Sequence, residues 1–136
     1  MNIILFNPRT KSFTSDPKFI RSKLNAEQLS QFNLVLQSFS CVLTIQDLAE
    51  TPGGFRSVCI HGLELWFTSL GEDQQLYFLP VDINKLTVNK SKSIPDLLTT
   101  TYVSKNAVLI FGSFTQEQIE VWVSKNIYKS QSYYGS

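Results

Sequence analysis

The chain has 136 residues, 43% of them hydrophobic and 17% charged, and its twelve basic and eleven acidic side chains leave a formal charge of +1. That is the size of one ordinary domain, long enough to bury a core without staples. The balance excludes a polybasic nucleic-acid arm, an acidic tail, a collagen and a disulfide-rich mini-protein.

Residues 1–136 read as a single globular domain, with a tail at residues 129–136 that is expected to fray unless its tyrosines pack against the body or a second subunit. Met1 to Phe6 is apolar but short, and its basic residue follows the run at Arg9 rather than preceding it, unlike a signal peptide. No window approaches the roughly 18 apolar residues that a membrane span needs. Cys41 and Cys59 are the only thiols. A single pair is not a secreted framework, so the expected compartment is reducing and cytoplasmic, with both thiols buried as small hydrophobes.

Ile3 to Phe6, closed by Asn7-Pro8, predicts a short buried strand. Residues 9–16 are polar apart from Phe13. Pro17 then opens a helical turn through Phe19, Ile20 and Leu24. Asn25 with Gln28 three residues later is a capping box, and Leu29, Phe32, Leu36 and Phe39 follow at helical spacing, which predicts an amphipathic helix over 26–39.

Strand signals dominate from Val42 onward. Val42 to Gln46, Phe55 to Ile60, Leu63 to Ser69 and Gln75 to Val81 predict an antiparallel meander. Its turns fall at Thr51-Pro52-Gly53-Gly54, at His61-Gly62 and at Leu70 to Asp73. Residues 82–92 are polar and Lys-rich. Ser93, Pro95 and Asp96 open another helix, which weakens at Thr99-Thr100-Thr101. Ala107 to Phe111 is apolar on both strand faces, as in a central strand. Gly112-Ser113-Phe114 is expected to turn the chain. Thr115 with Gln118 is a second capping box, starting a helix whose stripe is Ile119, Trp122, Val123 and Ile127. The predicted fold class is α+β, with one mostly antiparallel sheet of about five to six strands packed by roughly two to four helices.

The segment Val108-Leu109-Ile110-Phe111-Gly112-Ser113-Phe114 and the capped helix after it are similar to the strand-Gly-Ser-Phe-helix segment of peptidoglycan-binding SPOR domains. The resemblance covers this stretch only, and no function is carried over from it.

Chemistry-bearing residues are sparse. His61 is the only imidazole. With two distant thiols it cannot complete a usual zinc set, so no metal or cofactor is expected. Glu72-Asp73 is the one adjacent acidic pair in the meander, and it falls in a turn. Cys59 and His61 share a strand face but lack the sequence context of a known nucleophile. Glu64 beside Trp66 is a second weak catalytic candidate. Lys85, Lys90 and Lys92 cluster, yet a charge of +1 supplies little attraction for nucleic acid, which is not an expected partner.

The stronger anomaly is apolar surface. At about 100° per residue, Val121 and Tyr128 fall opposite Ile119, Val123 and Ile127 on the last helix. Trp66 falls on the strand face opposite Leu63, Leu65 and Phe67. Either the sheet is covered on both faces, or one face receives another chain. Trp66, Val121, Tyr128, Tyr133 and Tyr134 are therefore the candidate partner-binding residues. The expected function is a non-enzymatic protein-interaction module. It would be an adaptor or assembly chaperone binding another protein, its extended tail or a second copy in a homodimer. The alternatives are a small enzyme using Glu64 or His61, and an inhibitor protein of the phage or plasmid type.

Overall fold

The computed structural model describes residues 1–7, 12–42, 55–81 and 106–128. The expected strand beyond Val42, the turn at Thr51 to Gly54, the Lys85 to Lys92 loop, the helix opened by Ser93 and the tail with Tyr133 and Tyr134 lie outside the described residues.

In chain order the elements are β1 (Asn2–Asn7), β2 (Ser12–Thr14), α1 (Lys18–Arg21), α2 (Ala26–Cys41), β3 (Arg56–Ile60), β4 (Leu63–Gly71), β5 (Gln74–Val81), β6 (Ala107–Phe114) and α3 (Gln116–Val123). A π-helical turn, Ser124–Tyr128, continues α3. The fold is α+β. Its six strands form one sheet in the order β2-β1-β6-β5-β4-β3. All neighbours pair antiparallel except β1 and β6, which run parallel, with Ile3 opposite Val108 and Leu5 opposite Ile110.

Apolarity on both faces of Ala107 to Phe111 has its cause in this order. β6 lies between β1 and β5, and both sheet faces are covered. Ala107, Leu109 and Phe111 join Ile119 and Val123 of α3 in one core cluster. Val108 and Ile110 join Phe32, Val35 and Phe39 of α2 in the other. Phe32, Phe39 and Phe78 are fully buried on the α2 side. Burial of a side chain of this size contributes about 1.5–3 kcal/mol.

The structure differs from the sequence reading at several points. The polar stretch before α1 contains a short strand, β2, held by pairing of Phe13 with Phe6. Gly112-Ser113-Phe114 does not turn. β6 runs on through it, because a bulge absorbs one residue: Phe78 faces Ile110 and Tyr77 faces Gly112, leaving Phe111 without an opposite number. Gly112 has φ +140°, and a Cβ there would lie 3.2 Å from the Phe114 ring. Only glycine adopts that backbone readily. The bulge resets the alternation, so Phe114 faces the α3 side with Phe111.

Cys41 and Cys59 are both exposed free thiols rather than buried ones. Cys41 closes the last turn of α2, past its buried positions. Cys59 alternates with Val58 and Ile60, which face the α3-side cluster, so it falls on the other face of the edge strand β3, where it is exposed. Of the residues that the sequence puts on apolar helix stripes and strand faces, Phe32, Leu65, Leu109, Phe111, Ile119 and Val123 are buried, while Leu29, Leu36 and Phe67 are partly buried at the core margins.

Candidate functional site

Three elements meet at one end of the sheet: the start of α2, the start of α3 and the β4–β5 turn. Both helices begin with the capping boxes expected from sequence. Gln28 N donates to Asn25 Oδ1 at 2.8 Å, and Asn25 N donates to Gln28 Oε1 at 3.1 Å. Gln118 N donates to Thr115 Oγ1 at 3.2 Å, and Thr115 N donates to Gln118 Oε1 at 3.0 Å. Each box satisfies amide groups that a helix start otherwise leaves open.

The turn is tied to the start of α2. Asn25 Nδ2 donates to Glu72 Oε2 at 3.2 Å, and Gln28 Nε2 donates to Gly71 O at 3.4 Å. Glu72 and Asp73 both have positive φ, 52° and 65°. That is the two-residue hairpin geometry for which Asn and Gly are better suited, so the turn holds some backbone strain. Across the sheet, Ser113 Oγ donates to Gln74 Oε1 at 2.9 Å.

Between the α1–α2 junction and α3 runs an open groove of about 890 Å³. One wall carries Lys23, Asn25 and Gln28, and the other is built by two rows along α3 and its continuation. Glu117, Val121 and Lys125 form one row, and Gln118, Trp122 and Asn126 the other. Positions four apart share a helix face, so each row is apolar at its centre and polar at both ends. Deeper in, a pocket of about 200 Å³ is lined by Phe19, Ile20, Phe111, Gly112, Phe114 and Trp122 among others. The Trp122 ring lies 4.9 Å from Phe111, 5.5 Å from Phe114 and 6.0 Å from Phe6. The floor is therefore a fixed aromatic cluster.

Val121, expected to face away from the core, is 55% exposed and lies in this groove. Trp66 is half-buried on β4. It packs with the cluster beneath α2, where its ring is 6.5 Å from Phe78. The structure does not bring Trp66 and Val121 together, since they belong to opposite faces. Tyr128 ends the π-helical turn. Tyr133 and Tyr134 lie outside the described residues.

No protein-family model, curated protein or solved structure matches this chain. The short likeness to the SPOR segment is accordingly not extended by any wider match.

Of the catalytic candidates, Glu64 is exposed on β4 opposite Cys59, and His61 stands in the β3–β4 turn with φ 52°. Among the described residues no three His, Cys, Asp or Glu side chains group to hold a metal ion. No helix among them is long and apolar enough to cross a membrane. Tyr77 lies under α3. Burial pushes its phenol above the ordinary value, and the carboxylate of Glu120 adds to the effect. Its hydroxyl donates to Gln75 Oε1 at 2.5 Å.

The sequence reading assigned Trp122 to the core stripe and passed over Phe114, Lys23, Glu117 and Lys125. The spacing of Glu117, Val121 and Lys125 was available as a signal. The opposing wall was not, because it comes from residues far away in the chain.

Proposed function

We propose that the protein is a non-enzymatic interaction module, an adaptor or assembly chaperone, and that the groove beside α3 holds another protein or its extended tail. The observation that supports this most directly is the setting of Val121: an exposed aliphatic side chain over an aromatic floor, in a groove long enough for several residues of extended chain. Apolar groups placed together in a concavity with polar margins are the usual composition of a binding patch.

Affinity capture from the native cell with wild-type and Val121→Glu baits tests the reading. The variant should retain the wild-type melting temperature, because Val121 is a surface residue, and should lose the partner that the wild-type protein captures. Should both baits recover the same proteins in the same amounts, the groove is not the binding surface. If the recovered partner is a second copy of this chain, the adaptor role gives way to a homodimer.

A further inference from the structure

The groove is electrically polar along its length. Glu117 and Lys125 are separated by two helical turns on the same row, which places them about 12 Å apart along the axis. The turn adds carboxylates at the Glu117 end. Asp73 shares a neighbouring hollow with Glu117 and Glu120. Lys23 lines the inner aromatic pocket with Phe111, Trp122 and Gln74. Acidic groups therefore stand at the turn end of the α3 row and the Lys125 ammonium at the other, with Val121 and the aromatic floor between them.

We infer that the groove selects an extended peptide with one apolar residue at its centre, flanked by a basic and an acidic side chain about four positions apart. This rests on the interaction-module reading above. The spacing follows from the geometry, since an extended chain rises about 3.3 Å per residue and covers the distance from Glu117 to Lys125 in about four residues. The inner pocket has room for one side chain of leucine or phenylalanine size. The basic residue of the peptide meets the Glu117 end and its acidic residue meets Lys125. Charges arranged in this way set register and discriminate against wrong sequences more than they add affinity.

Fluorescein-labelled peptides and an anisotropy titration test this. Asp-x-Leu-x-Lys and its reverse Lys-x-Leu-x-Asp represent the two chain directions, with Ser or Gly at x and at the ends. Asp-x-Leu-x-Asp and Lys-x-Leu-x-Lys are the like-charged controls, and Asp-x-Ser-x-Lys lacks the anchor. The better mixed-charge peptide should bind about threefold to fivefold more tightly than either control, with the difference shrinking at high salt. Losing the leucine should cost about tenfold or more. Lys125→Glu should move the preference to Lys-x-Leu-x-Lys, a switch that an unfolded variant cannot produce. Equal binding of mixed and like-charged peptides, or no switch in Lys125→Glu, overturns the inference. The same holds if no peptide binds in a way that Val121→Glu abolishes. Any of these outcomes alongside Val121-dependent capture of a partner removes the charge rule and leaves the interaction role standing. Loss of both removes both.

Discussion

Leu34 on α2 and Val121 on α3 are each 55% exposed, and by local sequence they are hard to tell apart. The helical neighbours of Leu34 are Ser30, Gln31, Gln37 and Ser38, and those of Val121 are Glu117, Gln118, Ser124 and Lys125. What separates them is tertiary. Leu34 stands on the outer side of a helix whose inner side is closed over Phe32, Val35 and Phe39. Val121 overlooks a groove with Trp122 and Phe114 in it. A single exposed aliphatic residue is ordinary surface; the same residue in an aromatic-floored concavity is a contact point. The difference depends on how the floor beneath α3 is made.

The largest effect should come from Phe111, which is 1% exposed and supports the Trp122 ring. Phe111→Ala should cost about 3–5 kcal/mol in a urea or thermal denaturation series. A loss below about 1 kcal/mol would mean that the floor is not anchored there. Gly112→Ala comes next. It puts a Cβ against the Phe114 ring at a backbone angle that other residues rarely adopt, and it should cost about 1–3 kcal/mol. An unchanged melting temperature would remove the bulge as the reason Phe114 faces the groove side.

Tyr77 sharpens the picture through pH. Its folded pKa is raised, first by burial and then by Glu120. The corresponding stability is complete below the unfolded phenol range, near pH 10, and is lost as pH rises through the folded value. Melting temperatures followed from about pH 8 to pH 11 should therefore fall less steeply at the alkaline end in Tyr77→Phe than in the wild type. Parallel curves would show that the phenol is not desolvated.

The smallest effect concerns the pair itself. Leu34→Ser and Val121→Ser should each change stability by no more than about 0.5 kcal/mol. Partner capture should fall only in the second. If Leu34→Ser also reduces capture, the outer face of α2 is part of the interface and the distinction drawn here fails.

Local chemistry made much of the framework legible. Both capping boxes could be read because Asn25 with Gln28, and Thr115 with Gln118, are bonded within four residues of chain. The His61-Gly62 hairpin could be read for the same reason, and its two positive φ angles match the expected turn. The central position of β6 was legible from its two apolar faces. The bulge was not. Gly112 followed by Ser113 has the composition of a turn, and only the ladder to β5 decides that the strand continues. The parallel β1–β6 pairing has no local signature either, since neither strand encodes its partner's direction. At the site, helical arithmetic placed Val121 on the outer side of α3, but the groove needs Lys23 from the α1–α2 junction and its inner pocket needs Phe19 from α1. Trp66 falls on the face opposite Leu63, Leu65 and Phe67, as the alternation required. That α2 lies over that face is a property of the whole sheet.

The β1–β6 pairing also governs the order in which the molecule can assemble. The hairpins β3–β4 and β4–β5 form from neighbouring chain and can close early, on the microsecond scale of local contacts. β1 must wait for β6, from nearly the other end of the numbering, before its inner edge is paired. Closing such a long loop is slow, and until then β1 presents an open, apolar strand edge. During synthesis the whole meander emerges before Ala107 does, so β1 stays without its partner for most of that time. Quality control acting on this protein would therefore recognise Ile3 to Phe6, and a substitution that weakens β6 would show first as aggregation of newly made chains.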